Sequence, residues 1–295
     1  MSATPQQLDI FAHSRDVMLR NDVLQALERR DAASARAAWR ALAAEFDADL
    51  ALPPLDMLTR VLEQRDDSPL PDHDALAHER HALAQEVATA ARQALGAQAG
   101  DAWLRPLWAG LAARCERLPF NPARPHDHAA ALWLRGGEWD AAVQAVARIE
   151  SWRRIPAPLA WMLDARYRLG GLDDCWALLA ELAWLAPSRL DALLAHWRDP
   201  LLMRLHKRFD AEFDADAHAS DMAWFPAWVL TQTPALAPHL ATAQAGQHSE
   251  AERGMRLMLE LLGLERQGRH REIVQHRRAL RDLQPPLFAA YMATR

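Results

Sequence analysis

Cysteine, glycine, lysine and β-branched residues are all scarce in this chain, and each shortage excludes something. Only two cysteines, Cys115 and Cys175, occur in 295 residues. Two cannot make a disulfide framework, and neither belongs to a CxxC pair. With eleven glycines and no GxxxxGK[ST] or GxGxxG, the loops that cradle phosphates are missing. No GxSxG elbow offers a serine nucleophile. β-branched residues are few and no alternating strand pattern is found. No uninterrupted apolar run approaches membrane-spanning length. The opening MSATPQQLDIFAHSRD lacks the basic and apolar regions of a secretory signal, so a bacterial-type cytoplasm is the expected location. Lys207 is the only lysine. The other cations are arginine, a skew that with abundant alanine points to a GC-rich coding sequence. A net charge of -5 gives no general electrostatic reason to bind nucleic acid or anionic lipid.

What is present favours helix. Hydrophobic residues at 51% and charged residues at 25% suffice for a large core. Ala, Leu, Arg and Glu dominate, and all are strong helix formers. Turn-forming residues break the pattern at 65–72, 96–101, 118–126, 154–158, 185–188, 214–221, 231–238 and 243–249. Between the breaks run apolar stripes at helical spacing, such as Val143, Val146 and Ile149. The expected fold is all-α, with antiparallel helix pairs stacked as an α-solenoid or irregular bundle of about fourteen to sixteen helices. The expected organisation is a peptide segment 1–13, a helical bundle 14–120 and a repeat region 121–295, with one continuous array as the alternative.

Two segments superimpose at an offset of 33 residues. Leu134-Arg135-Gly136-Gly137-Glu138-Trp139-Asp140-Ala141-Ala142 aligns with Tyr167-Arg168-Leu169-Gly170-Gly171-Leu172-Asp173-Asp174-Cys175. Each reads as a helix, a glycine C-cap, an acidic first turn and a second helix. Here the chain resembles the tetratricopeptide repeat, with Gly137, Trp139 and Ala142, then Gly170, Leu172, Cys175 and Pro187, at motif positions. The match covers about 127–187. Weaker copies carry Ala35 and Trp39 near the start, and Gly268, Ile273 and Pro285 near the end. Leu163 and Ala130 depart from the glycine position of the first helix, Arg154 replaces the proline, and Arg277 stands where an apolar residue is expected.

The resemblance implies a concave face for protein or peptide recognition, carrying Arg124, Asp127, His128, Arg135, Trp161, Asp164 and Arg168. Eleven of twelve tryptophans lie between Trp103 and Trp228. Core filling is their expected role, with Trp133, Trp139 and Trp176 at packing positions and Trp161 facing the groove.

Chemistry-bearing clusters are sparse. Asp74, His78 and His81 lie at i, i+4 and i+7 and define a metalloenzyme alternative, although HERH is not the HExxH of zinc proteases. His126 and His128 precede a helix that Asp127 could cap. Asp214, Asp216, His218 and Asp221 lack the glycine and closing glutamate of a calcium loop. The basic stretch RRALRDL, with Glu272 and Asp282 beside it, reads as a solvated helix face. Gln7-Leu8-Asp9-Ile10-Phe11 resembles the peptide by which bacterial proteins dock on the DNA polymerase sliding clamp, written Q-L-[SD]-L-F, with Ile10 in place of leucine. That resemblance implies a polar anchor at Gln7 and pocket contacts from Leu8, Ile10 and Phe11. The expected function is a non-enzymatic adaptor or scaffold with a protein or peptide partner and no cofactor or metal. A clamp-docking replication or repair factor is the first alternative; direct contact with nucleic acid or membrane is not expected.

Overall fold

The computed structural model describes residues 5–64, 66–213, 221–246 and 248–295, with side chains from Arg15 onward. Helix accounts for 79% of the described residues, and no strand forms among them. The fold is all-α. No described helix is long and apolar enough to cross a membrane. The chain divides into two units, Met1–Glu138 and Trp139–Arg295. The break expected at 118–126 is a loop inside the first unit, since the helix that follows it packs there.

The first unit contains α1 (Pro5–Glu28), α2 (Ala32–Glu45), α3 (Leu52–Glu63), α4 (His73–Ala82), α5 (Ala88–Leu95), α6 (Ala97–Arg114) and α7 (Ala129–Gly136). A single π turn, Leu83–Val87, joins α4 to α5 without a break. Helices pack in sequence order, α1 on α2, α2 on α3, α5 on α6 and α6 on α7, with α3 also against α5. Side-chain caps set the starts: Asp31 accepts from the Ser34 N–H at 3.0 Å, and Asp72 from that of Ala75 at 2.8 Å. The core joins Val23, Leu27, Leu42, Leu55, Leu58, Leu76 and Ala91. The break expected at 96–101 shrinks to one residue, Gly96, because α6 restarts at once. Gly100 then lets α6 lie on the α5 backbone, where an added Cβ would meet the Ala91 carbonyl at 2.8 Å. Pro106 sits inside α6 and removes one donor from its ladder. Arg30 donates to the carbonyl of Trp103 three residues before it.

The second unit contains α8 (Trp139–Ala147), α9 (Pro156–Gly170), α10 (Trp176–Leu185), α11 (Pro187–Trp197), α12 (Pro200–Glu212), α13 (Phe225–Gln232), α14 (Ala237–Ala241), α15 (Glu250–Gln267), α16 (His270–Leu283) and α17 (Pro285–Ala293). α8 packs on α9; α10 touches α9, α11, α13 and α14; α13 packs on α15 and α17. α10 (WALLAELAWL) and α13 (FPAWVLTQ) carry apolar residues all round and are buried on nearly every side. Phe209 of α12 meets Phe225 and Trp228 of α13 edge-on, each at 5.4 Å. Prolines open α9, α11, α12 and α17, where a missing N–H costs nothing.

The glycine caps read from the sequence are present in both units. Gly137 and Gly268 adopt the left-handed conformation, each followed by an N–H that reaches back to the helix, from Glu138 to Trp133 and from Arg269 to Leu264. The motif positions Ala142 and Cys175 are fully buried. The tryptophans sort differently from expectation. Trp176 is core at 1% exposure, but Trp161 is also buried, at 8%, while Trp133 and Trp139 are half-buried. All twelve are buried or half-buried. Guanidinium groups lie over seven of them, including Arg135 over Trp108 at 4.6 Å and Arg36 over Trp39 at 5.1 Å.

Candidate functional site

Most side chains singled out by sequence are engaged within their own unit. In Met1–Glu138, Arg124 reaches Asp74 and holds its carboxyl below the usual range. Arg80 donates to buried Asp127 at 2.6 Å. His128 caps α7, its Nδ1 accepting from the Ala130 N–H at 3.2 Å, with its ring edge-on to Phe120. In Trp139–Arg295, Asp164 accepts from the Trp197 indole at 2.7 Å and from Arg168 at 3.3 Å. Arg168 also lies over Trp139. Of the recognition face expected through Arg124, Asp127, His128, Arg135, Trp161, Asp164 and Arg168, the exposed members are Arg124, Arg135 and Arg168. Asp127, His128 and Trp161 are buried, and the set is divided between the two units. The physical reason is local pairing: α7 lies on α6, and α9 is wrapped by α8, α10 and α11, so positions meant to face a groove face neighbouring helices.

The metal alternative does not assemble either. Among the described residues no three His, Cys, Asp or Glu side chains converge. Asp74 is taken by Arg124, and His78 and His81 are exposed on α4. Gln7, Leu8, Ile10 and Phe11 fall within the span of α1 but outside the residues whose side chains are described. Asp214, Asp216 and His218 lie outside the described residues. Cys115 and Cys175 are buried, and burial pushes both thiols up to about 12, far from the thiolate a nucleophile requires.

In the second unit polar groups converge on a cavity with a buried carboxylate in its lining. A cavity of about 110 Å³ is lined by Arg153, Arg154, Glu181, Trp184, Leu185 and the segment Gln244–Gly246. Glu181, Trp184 and Leu185 share a face of α10 by their i, i+3, i+4 spacing. Ser151, in the left-handed conformation, turns the chain so that a 3-10 turn presents Arg153 and Arg154. Glu181 is 6% exposed, and its Oε1 accepts from Arg153 at 3.1 Å and from the Gln244 N–H at 2.8 Å. Burial pushes its carboxyl above the ordinary range, opposed by the Gln244 N–H and by the Arg153 and Arg256 charges. Arg256 covers Trp184 at 5.6 Å and donates to the Ala243 carbonyl at 2.8 Å.

Gln244, Ala245 and Gly246 form one wall, and Glu252 holds its end. This carboxylate, 3% exposed in the first turn of α15, accepts the N–H of Gly246 at 3.0 Å and of His248 at 2.9 Å. Its own N–H goes to the capping Ser249 Oγ at 3.2 Å. On the far side of Ala245 a groove of about 590 Å³ opens along α15 and α16. Leu257, Ala279 and Leu283 give it an apolar floor, and His248, Arg253, Arg256 and Glu260 a charged rim.

Sequence reasoning missed this cavity. The available signal was Glu181, the single charge among the ten residues of α10, since a lone carboxylate in such a helix must find partners or a cavity. No protein-family model, no curated protein and no solved structure matches this chain.

Proposed function

We propose, from geometry and not from kinship, that this chain is a non-catalytic protein-interaction module of the cytoplasm whose second unit receives a peptide from a partner protein. The observation that carries this reading is the pairing of an apolar-floored groove with a deeper polar cavity, the two sharing Ala245. An extended peptide laid between α15 and α16 would bury apolar side chains on Leu257, Ala279 and Leu283. One side chain would turn past Ala245 toward Glu181. Mixed charge at the rim, with Arg253 and Arg256 beside Glu260, suits polar contacts around an apolar centre. The tetratricopeptide resemblance supports the same class of function, although the groove lies outside the segment that carries it.

Random peptides displayed on phage and selected on the full chain test this reading. Enriched peptides are expected to lose binding to Ala279→Trp, which fills the groove from an exposed position, and to keep binding to Arg135→Glu in the other unit. Peptides that bind both variants equally, or no enrichment at all, would remove the groove from the function.

A second reading rests on Gln7-Leu8-Asp9-Ile10-Phe11 alone. A peptide of residues 1–13 is expected to bind the bacterial sliding clamp at about micromolar strength, near -8 kcal/mol. Ile10→Ala with Phe11→Ala should abolish that binding, and a flat calorimetric titration of the unaltered peptide would end the idea.

A further inference from the structure

Glu181 presents an asymmetry that its own partners do not explain. Both of its hydrogen bonds end on Oε1, from Arg153 and from the Gln244 N–H. Oε2 has no donor among the described residues, yet it is not enclosed among the buried, partnerless atoms of the fold. Oε2 is therefore accessible, and Glu181, 6% exposed, lines the cavity. At the mouth stands Arg154, whose guanidinium makes no ion pair among the described residues and whose side chain is exposed. Leu185, Ala245 and the Trp184 ring supply the walls, and the Trp184 indole N–H is buried there without a partner.

We infer that this cavity takes an uncharged carboxamide, the side chain of a glutamine or asparagine on the peptide partner. The inference rests on the peptide-binding reading above and names the group that the cavity selects. An amide NH₂ donates to Oε2 while its carbonyl oxygen accepts from Arg154, so both open groups are satisfied by one planar group. A carboxylate guest would satisfy Arg154 but bring its charge against Glu181. An ammonium or guanidinium guest would satisfy Glu181 but be desolvated beside Arg153 and Arg154. An aliphatic guest would leave Oε2 buried without a donor, the costly case. Size agrees: about 110 Å³ accommodates the few heavy atoms of a carboxamide.

The test uses the full chain labelled with ¹⁵N at the tryptophan indoles, the Trp184 resonance being assigned by its loss in Trp184→Phe. N-acetylglutamine methylamide is expected to shift that resonance saturably with a dissociation constant of about 1–10 mM, the range for a ligand of this size. N-acetylglutamate methylamide and N-acetyllysine methylamide are each expected to bind about ten-fold more weakly or less, the cost of one mismatched charged contact. Arg154→Ala, at an exposed position that the fold tolerates, should weaken the glutamine compound about ten-fold and leave thermal stability unchanged. Glu181→Gln, checked for helicity by circular dichroism, should lower its preference over the glutamate compound. Equal or tighter binding of the glutamate or lysine compound overturns the proposal, as does the absence of a saturable shift with the glutamine compound. Failure here with groove-dependent phage peptides intact removes only the carboxamide. Loss of groove dependence with the amide shift intact removes the peptide reading and leaves the cavity's selectivity standing.

Discussion

Gly100 and Gly110 lie in the same helix, α6, and should respond in opposite directions to the same substitution. A Cβ at Gly100 would sit 2.8 Å from the carbonyl carbon and oxygen of Ala91 and 2.9 Å from the nitrogen of Arg92, all backbone of α5. Ordinary contact begins at 3.4 Å, so Gly100→Ala must part the two helices by about 0.6 Å, a gap that forfeits about a quarter or more of each contact's attraction. Alanine gains up to about 1 kcal/mol of helix propensity over glycine. Overpacking costs about 1–3 kcal/mol, and backbone cannot step aside as a side chain does, so the upper end applies. The expected net loss is about 1–2 kcal/mol. At Gly110 nothing lies within 4 Å of the added carbon, and Gly110→Ala should stabilise by about 0.5–1 kcal/mol. Urea melts followed by circular dichroism, with equal slopes in denaturant, measure the difference. If Gly100→Ala melts at or above the unaltered chain, α5 and α6 do not approach as closely as described, and the seam of the first unit is wrong.

Two further outcomes follow from burial. Trp176→Ala should cost about 3–5 kcal/mol, the usual loss on emptying a buried aromatic site, whereas Trp139→Ala, half-buried under Arg168, should cost no more than about 2 kcal/mol; equal denaturation midpoints for the two would contradict the burial. Glu181→Gln should stabilise the chain near neutral pH and lose that advantage in acid. Its carboxyl is raised above the ordinary value by burial, so the folded chain holds a proton that the unfolded chain has released. Stability then falls as pH rises from the unfolded value toward the folded one. Melts across that window, compared between the two proteins, should diverge upward in pH; parallel curves would show that Glu181 is solvated.

Helix content and several helix ends were legible because they depend on neighbours along the chain. The left-handed caps at Gly137 and Gly268 need only a glycine after an apolar-periodic stretch, and Pro156, Pro187 and Pro285 mark helix starts by their missing N–H. What depends on the identity of the packing partner was not legible. A repeat frame assigned Trp139 inward and Trp161 outward, but those directions hold only where each helix has the neighbour that the frame assumes. In the fold, α9 is covered by three helices and buries Trp161. The Glu181 cavity joins residues from about 153, 181 and 245; such separations leave no periodic trace, and only the misplaced charge in α10 hinted at it. The Asp74, His78 and His81 spacing was right for one helix face but silent about Arg124, which arrives from 50 residues away and occupies the acid.

The carboxylate of Glu252 makes the wall of the cavity and the first turn of α15 a single thermodynamic object. When that turn frays, the N–H groups of Gly246 and His248 lose their acceptor, and the wall loosens with it. A guest lodged against Ala245 would therefore suppress fraying at the start of α15. Reciprocity requires that whatever loosens the helix start weaken the guest by the same factor. Substitutions at Ser249, which caps α15 beside the lining, would thus act as a dial on affinity, and slowed amide hydrogen exchange at the start of α15 would report occupancy.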